Sequence, residues 1–242
     1  MITSRISTGI PGLDIMLNGG LIPGRTYLVK GAPGTGKTTL AMHFAMAGIS
    51  NGESVLYITL EEPGENIKQD FSRMGFDVYN ENFTLIDATP TTEHYVLVED
   101  FFESFAKNLN KLTDAIKEQF KTKRYSRVVV DPITMLKFTS SDELEYRKAF
   151  LSFIKTMMRL RTTVLITAEG GEQADIEEYL VNGVIELELF QKEGRLERAL
   201  KITKFRGGSG FDNVIRPYEI TENGMVVYPR QISTLRDLHA PS

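Results

Sequence analysis

The chain has 242 residues, 28 of them basic and 32 acidic, so its formal net charge is −4. Hydrophobic residues make up 41% and charged residues 25%, a composition typical of globular proteins that excludes disorder as the dominant state. There is no cysteine, which excludes thiol catalysis, disulfides and cysteine-ligated metal centres. The acidic balance argues against binding of nucleic acid over a broad basic surface.

The sequence shows neither an internal repeat nor a low-complexity linker, so its length favours a single domain over residues 1–242. No apolar run approaches the roughly 18 residues that would cross a bilayer. No hydrophobic signal core follows the first residues, Met1-Ile2-Thr3-Ser4-Arg5. We therefore expect a cytoplasmic protein that does not bind membranes.

Strands and helices are predicted to alternate through the first two thirds of the chain. A turn-rich opening leads into strands predicted at residues 27–29, 55–58, 83–86, 128–130 and 163–166. Helices are predicted between them, one ending near residue 49 and others at residues 66–74, 93–120 and 142–160. The run Val128-Val129-Val130 is apolar without alternation, as in a strand that is buried on both faces of a parallel sheet.

The pattern changes after residue 183. Strands are predicted at residues 184–189, 199–205 and 225–228, joined by short turns without helical crossovers. Arg216-Pro217-Tyr218 is interpreted as an ordinary turn, and the alternative is that these residues approach the base of a nucleotide. The predicted fold is therefore α/β, with a mostly parallel twisted sheet flanked by helices and an antiparallel extension of strands at the C-terminal end.

A glycine-rich loop lies between the first predicted strand and the helix that follows it. The pattern G-x-x-x-x-G-K-[ST] is complete, and its strand-loop-helix context is that of a phosphate-binding loop. Glycines let several backbone N–H groups point inward at phosphates, and the helix presents its positive N-terminal end to them. The residues predicted to bind the phosphates of a nucleotide are Gly31, Ala32, Pro33, Gly34, Thr35, Gly36, Lys37, Thr38 and Thr39.

Two oxygen-bearing side chains are predicted to hold Mg²⁺ beside those phosphates. Thr38 offers a hydroxyl at the start of the helix, and Asp131 follows the apolar run at residues 128–130. A carboxylate at the carboxyl end of a buried strand lies at the ligand-binding edge of an open α/β sheet, where it would hold the metal through water. The alternative is that Asp131 caps the turn or helix that begins at Pro132.

Two adjacent carboxylates, Glu61 and Glu62, directly follow the second predicted strand. Adjacent carboxylates repel each other, which together with partial burial raises the pKa of one of them. Such a carboxylate can orient or deprotonate the water that attacks a γ-phosphate, so both are catalytic candidates. The alternative is a plain turn before a helix, which Glu62-Pro63-Gly64 would also form.

Several of these segments together resemble the RecA superfamily of P-loop ATPases and, within it, the KaiC-like ATPases. Residues 8–14 (TGIPGLD) and 19–24 (GGLIPG) are similar to the entry segment of that family, and Asp131 matches its Walker B residue. Glu61-Glu62-Pro63 matches its tandem glutamates, and residues 200–207 (LKITKFRG) are similar to its late basic hairpin. The resemblance covers nearly the whole chain and implies a RecA-like P-loop core that binds ATP or ADP with Mg²⁺.

The resemblance also implies self-association into a ring, usually a homohexamer, with ATP between adjacent subunits. Lys204 and Arg206 would then reach the nucleotide of the neighbouring subunit, where a cation stabilises charge that develops on the γ-phosphate. In a strand these two side chains face the same side, because Phe205 separates them. The alternative is a solvated basic edge of the sheet.

The chain departs from the two-domain clock proteins of that family. It has room for one such domain, and residues 175–180 (DIEEYL) contain no Ser or Thr acceptor, so autokinase activity is not expected. We expect a nucleotide-regulated ring with slow ATP hydrolysis. One alternative is a DNA-linked recombination or helicase accessory ATPase, which the acidic segment at residues 169–175 disfavours. Another is a non-hydrolysing, ATP-dependent scaffold for a protein partner.

Overall fold

The computed structural model describes residues 5–89, 105–137, 143–170, 176–192, 194–208 and 210–232. Its helices are α1 (Pro11–Met16), α2 (Lys37–Ser50), α3 (Gly64–Arg73), α4 (Phe105–Thr122), α5 (Glu143–Leu160) and α6 (Ile176–Leu180). Its strands are β1 (Thr26–Gly31), β2 (Val55–Thr59), β3 (Phe83–Asp87), β4 (Arg127–Asp131), β5 (Thr163–Glu169), β6 (Gly183–Lys192), β7 (Arg195–Phe205), β8 (Arg216–Thr221) and β9 (Gly224–Val227). A short 3-10 helix, Ile133–Lys137, follows β4. None of the described helices is long and apolar enough to cross a membrane.

The described strands form one sheet in the order β3-β2-β4-β5-β1-β6-β7-β8-β9. Neighbouring strands from β3 through β6 in that order are parallel. β6 is parallel to β1 and antiparallel to β7, so the antiparallel extension begins with the hairpin of β6 and β7 and continues through β8 and β9. The sheet confirms the predicted fold class. The assignment of a single domain to residues 1–242 stays a prediction.

The hydrophobic core lies in two layers, one on each face of the sheet. Successive residues of a strand point to opposite faces, and in β4 Val129 joins one cluster of buried side chains while Val128 and Val130 join the other. The first cluster includes Phe44 of α2, and the second includes Phe153 of α5. Because both faces of β4 are covered, its sequence is a continuous apolar run.

A fully buried arginine fastens the N-terminal segment to the core. Arg127, the first residue of β4, donates from Nε and Nη2 to the two carboxylate oxygens of Glu53 at 2.7 and 3.0 Å. Its Nη1 donates to the carbonyls of Ser7 and Phe44 at 2.8 and 2.7 Å. The guanidinium also lies 4.7 Å from the centre of the Phe44 ring. One side chain therefore joins the segment before α1, the helix α2 and the start of β4.

The turn expected at Arg216-Pro217-Tyr218 is wrong, because these residues begin strand β8. Leu200 of β7 pairs with Arg216, and Ala199 pairs with Pro217. A proline lacks the N–H that a central strand needs, but Pro217 lies near the edge of the sheet and contributes its carbonyl, which accepts a hydrogen bond from the Tyr228 N–H. Pairing with β7 and β9 overrides the local turn preference of proline.

Other predicted elements agree in position with the described ones, apart from their ends. The helix predicted at residues 93–120 is present as α4, Phe105–Thr122, while residues 93–104 of that prediction lie outside the described residues. Residues 171–175, which form most of the predicted acidic segment at residues 169–175, also lie outside the described residues.

Candidate functional site

The phosphate-binding loop connects β1 to α2, between Gly31 and Lys37. Gly34 and Gly36 adopt left-handed backbone conformations, with φ of 79° and 89°, which favour glycine. Gly36 also has no room for a side chain, because a Cβ there would lie 2.5 Å from Cδ1 of Ile220 in β8. The curvature of the loop therefore depends on glycine at these two positions.

Hydrogen bonds within the loop hold its lysine in place. Nζ of Lys37 donates to the carbonyls of Gly31 and Ala32 at 2.8 and 3.1 Å, and the hydroxyl of Thr35 donates to Ala32 at 2.8 Å. Burial lowers the pKa of Lys37, while the negative charges of three nearby carboxylates oppose that change. The ammonium group thus lies in the loop with acidic side chains opposite it.

A cavity of about 530 Å³ opens beside the loop. This volume falls within the range of about 300–1,000 Å³ that is usual for small-ligand sites. The lining residues come from the loop and from the carboxyl ends of β2, β4 and β5, where parallel strands expose their last side chains together. They are Pro33, Gly34, Gly36, Lys37, Thr38, Thr59, Glu61, Glu62, Pro63, Asp131, Pro132 and Glu169. The cavity brings the predicted loop, glutamates and Asp131 to one place.

Asp131, the last residue of β4, is held at this cavity by two hydroxyl groups. Asp131 is only 3% exposed. One of its oxygens accepts a hydrogen bond from the Tyr57 hydroxyl at 2.6 Å, and the other accepts one from the Thr167 hydroxyl. Burial and the adjacent Asp131 charge raise the pKa of Tyr57, so its hydroxyl stays protonated and donates. The two hydrogen bonds fix the orientation of the carboxylate and leave lone pairs for a further donor.

The tandem glutamates begin the connection from β2 to α3. The hydroxyl of Thr59 donates to the backbone carbonyl of Glu62 at 2.6 Å, which ties this connection to the end of the strand. Partial burial raises the pKa of Glu62, and the negative charges of Asp70, Asp131 and Glu61 raise it further. The arrangement matches the expectation that one of two adjacent carboxylates has a raised pKa, and it identifies that carboxylate as Glu62.

Lys204 and Arg206 lie near the end of β7, on the side of the fold where α6 ends. Neither is among the described residues that line the cavity. Nζ of Lys204 donates to the carbonyls of Glu178 and Tyr179, the latter at 2.9 Å, and Arg206 donates from Nη2 to Tyr179 at 3.2 Å. Both cations therefore face the same side of the strand, as their alternation with Phe205 predicts. Within one chain they contact α6 rather than the phosphate-binding loop.

Two residues of the antiparallel extension contact the loop in a way that was not predicted from the sequence. The hydroxyl of Tyr218 donates to the carbonyl of Thr35 at 2.6 Å, and Nη2 of Arg198 lies 3.5 Å from the carbonyl of Gly34. Both belong to the antiparallel extension, which the order of strands brings beside the loop. No local motif marks them, because each contact joins positions more than 160 residues apart.

The chain is similar to several known proteins. The family model described as "ATPase: KaiC" matches residues 6–232. The chain is 30% identical to a UPF0273 protein of Thermotoga maritima, over 94% of this chain and 97% of that one. It is 26% identical to the circadian clock protein KaiC3 of Synechocystis sp., over 93% of this chain and 46% of that protein. The crystal structure of the KaiC-like protein PH0186 from Pyrococcus horikoshii matches with a TM-score of 0.78 and 29% identity, over 93% and 99% of the two chains.

The family model spans the sheet, the loop and the antiparallel extension, and the solved structure shares this fold. The chain therefore belongs to the KaiC-like ATPases of the RecA superfamily.

Proposed function

We propose that the chain binds MgATP and hydrolyses it slowly, in a head-to-tail ring whose nucleotide sites are completed by neighbouring subunits. The observation that carries this proposal is the cavity in which the phosphate-binding loop, Glu61, Glu62 and Asp131 meet. Each group has a role in phosphoryl transfer to water, and the cavity brings them together at the carboxyl edge of the sheet.

The loop residues from Gly31 to Thr39 would hold the phosphates. Their backbone N–H groups and the N-terminal end of α2 supply partial positive charge, and Lys37 adds a full one. The hydroxyl of Thr38 lines the cavity and is an oxygen ligand of the kind Mg²⁺ accepts. Bound Mg²⁺ would neutralise charge on the phosphates. Asp131 would support the metal through water, because each of its oxygens already accepts one hydrogen bond from the protein.

Glu61 and Glu62 would orient the attacking water and accept its proton. The raised pKa of Glu62 favours it as the proton acceptor, because a more basic carboxylate holds the proton more tightly once water has given it up. The same raised pKa means that Glu62 must lose its own proton before it can act.

Lys204 and Arg206 would act on the ATP of the neighbouring subunit. Their contacts with α6 place both cations outside the cavity of their own chain, so a role at phosphate requires a second copy. A heterologous head-to-tail contact supplies that arrangement and closes into a ring, for which we propose six subunits. The cations would stabilise charge on the transferred phosphoryl group.

The proposal is tested by measuring MgATP hydrolysis per subunit across a dilution series, with the oligomeric state followed by light scattering. We expect specific activity to fall as the ring dissociates. Lys37→Ala should abolish ATP binding, whereas Lys204→Ala and Arg206→Ala should retain binding and lose hydrolysis by about a hundredfold or more. An active monomer would contradict the shared site. Nucleotide-dependent assembly without phosphate release would favour the scaffold function instead.

A further inference from the structure

A cluster of charged side chains connects the strand before the phosphate-binding loop to helix α6. Lys30 of β1 pairs with Glu178 of α6 at 2.7 Å and with Glu186 of β6 at 3.4 Å. Lys201 of β7 pairs with Glu186 at 3.3 Å and with Glu188 at 2.5 Å. We call these five residues the Lys30 cluster. Glu178 is its only member that belongs to α6; the other four lie on the sheet.

The pair of Lys30 and Glu178 is held tightly. The side chains are only 10% and 17% exposed. Burial alone would lower the pKa of Lys30, but its pairing with Glu178 and Glu186 raises it, so the lysine stays charged. Because both charges have little access to water, each depends on the other, and removing one would leave the other without its partner. The pair therefore joins α6 to β1, in addition to the apolar packing of Ile176 and Leu180 against the core.

Lys30 occupies a particular place in the chain, because the next residue is Gly31, whose carbonyl accepts the hydrogen bond from Lys37. The strand β1 and the phosphate-binding loop thus meet at this residue. A contact at Lys30 is therefore adjacent to the phosphate-binding loop, although Lys30 itself does not line the cavity.

Glu178 has a second contact, through its backbone. Its carbonyl accepts a hydrogen bond from Lys204, and the carbonyl of Tyr179 accepts from both Lys204 and Arg206. These carbonyls lie in the last turn of α6, where no later helical N–H is available to them and where the partial charge is negative. The C-terminal end of α6 therefore binds both cations through its carbonyls, and the Glu178 side chain connects this end of the helix to the sheet through Lys30.

We infer that Glu178, paired with Lys30, is a positioning residue that places Lys204 and Arg206 for the ATP of the neighbouring subunit. The inference rests on the proposed function, because it assumes that these cations act in trans. It adds a physical connection, from the P-loop strand of one subunit through α6 to the nucleotide site of the next. Such placement matters because a shift of about 1 Å in a catalytic group can lower a rate by about a hundredfold.

The first experiment compares Glu178→Gln with the unaltered chain as an assembled oligomer. The substitution keeps the shape of the side chain and removes the charge that binds Lys30. We expect kcat to fall about tenfold or more, while the dissociation constant of a fluorescent ATP analogue changes less than about twofold, since the phosphate-binding loop of the same subunit is untouched. Light scattering and the Tm check assembly and folding.

Glu188→Gln is the matched control. It removes the same charge from the same cluster, but within the described part of the chain the ion pair of Glu188 is with Lys201 of β7 and not with α6. Its kcat and ATP affinity should equal those of the unaltered chain. If kcat falls equally in both variants, the total charge of the cluster matters rather than the connection between Glu178 and the end of α6. That result would overturn the inference.

A mixing experiment separates a defect in trans from a general structural one. Lys37→Ala subunits lack a working loop but carry intact cations, whereas Glu178→Gln subunits have an intact loop and misplaced cations. In rings assembled from equal amounts, about a quarter of all sites should combine an intact loop with intact neighbouring cations. We therefore expect activity to return to about a quarter of that of the unaltered ring. A mixture of Lys204→Ala with Lys37→Ala should recover to the same extent.

The outcomes distinguish the inference from the proposed function. If Lys204→Ala keeps full activity, the trans role of the cations is wrong and the proposed function fails at that point. If Lys204→Ala loses activity while Glu178→Gln keeps it, the inference alone is wrong. If mixing with Lys37→Ala subunits does not restore the activity that Glu178→Gln loses, the inference is also overturned. Should Glu178→Gln fail to assemble, Lys30→Met breaks the same pair from the other side, and an unchanged kcat in that variant would overturn the inference.

Discussion

The hydroxyl of Tyr218 donates a hydrogen bond to the backbone carbonyl of Thr35 at 2.6 Å, across 183 positions of the chain. Burial raises the pKa of Tyr218, so the hydroxyl keeps its proton and remains a donor. The same strand, β8, places Ile220 against Gly36. The antiparallel extension thus contacts and supports the phosphate-binding loop.

Tyr218→Phe should weaken nucleotide binding while leaving the fold intact. A typical hydrogen bond contributes about 1 kcal/mol, and loss of this one would let the loop sample conformations that do not bind phosphate, which predicts about three- to tenfold weaker binding. Isothermal titration with a non-hydrolysable ATP analogue measures the effect. Tyr228→Phe is the control, because its hydroxyl donates to Glu219 on the exposed surface of the same extension. Equal affinity of both variants would contradict a supporting role for Tyr218.

The raised pKa of Glu62 predicts how kcat changes with pH on the acidic side. A protonated carboxyl cannot accept a proton from water, so kcat should fall as the pH drops through the pKa of Glu62, at a higher pH than for an ordinary glutamate. Glu62→Gln should lower kcat by about a hundredfold or more, and the remaining activity should lack this acidic fall. The measurement is kcat against pH at saturating MgATP. Glu65→Gln, in the first turn of α3, serves as control and should keep the profile of the unaltered chain.

His43 should make the protein less stable at moderately acid pH. Burial lowers the pKa of His43 to about 4, even though a hydrogen bond with Gly9 acts in the opposite direction, and its Nε2 accepts a hydrogen bond from the Met225 N–H at 2.8 Å. Between pH 6.5 and about 4 the unfolded chain binds a proton that the folded chain does not bind. The free energy of unfolding should therefore fall by about 1.4 kcal/mol per pH unit as the pH decreases through this range.

His43→Gln tests this assignment, because glutamine can offer an acceptor to Met225 without titrating. Urea unfolding at several pH values gives the free energy for both proteins, and their difference isolates His43 from the carboxylates that they share. We expect the difference to be constant above pH 6.5 and to change below it in favour of the variant. Parallel curves over the whole range would show that His43 does not titrate as proposed.

Arg127→Met should be among the most destabilising single substitutions in the chain. It removes the bidentate partner of Glu53 and the donor to two buried carbonyls, and it leaves the carboxylate without its counter-ion. Breaking such a pair from one side costs about 3–5 kcal/mol of unfolding free energy. Urea unfolding measures the loss. The exposed Arg124 is a matched control, and Arg124→Met should stay within about 0.5 kcal/mol of the unaltered chain.

Adding Glu53→Gln to Arg127→Met tests the cause of that loss. If the unpaired carboxylate accounts for much of it, the double variant should recover part of the stability, because the second substitution removes the uncompensated charge. If the double variant recovers no stability, the loss of unfolding free energy in Arg127→Met comes mainly from packing against Phe44 and from the hydrogen bonds to the backbone carbonyls.

The features that could be predicted from the sequence are those encoded by neighbouring residues. The glycine-rich loop needs glycine at Gly34 and Gly36 for backbone reasons, and the pattern marks it without knowledge of any distant residue. Asp131 follows an apolar run, and the end of a buried parallel strand always lies at the ligand edge of the sheet. The fold class followed from the same signals, because periodicity reports which faces of each element are buried.

Interactions between distant segments could not be predicted in this way. The Tyr57 and Thr167 hydroxyls reach Asp131 because β2 and β5 flank β4 in the sheet, an order that periodicity does not contain. The strand β8 was misread as a turn because a proline dominates the local pattern, whereas pairing with β7 and β9 decides the conformation.

Lys204 and Arg206 show both sides of this division. Their separation by one residue determines that the two cations share a face of β7, since side chains alternate along a strand. What they contact depends on where α6 packs, and the charge pair between Lys30 and Glu178, 148 positions apart, joins that helix to β1. The sequence by itself determined which residue types could bind phosphate, metal and water. Only the tertiary structure decided which of them meet, because the contacts that join them arise from packing between segments that are remote along the chain.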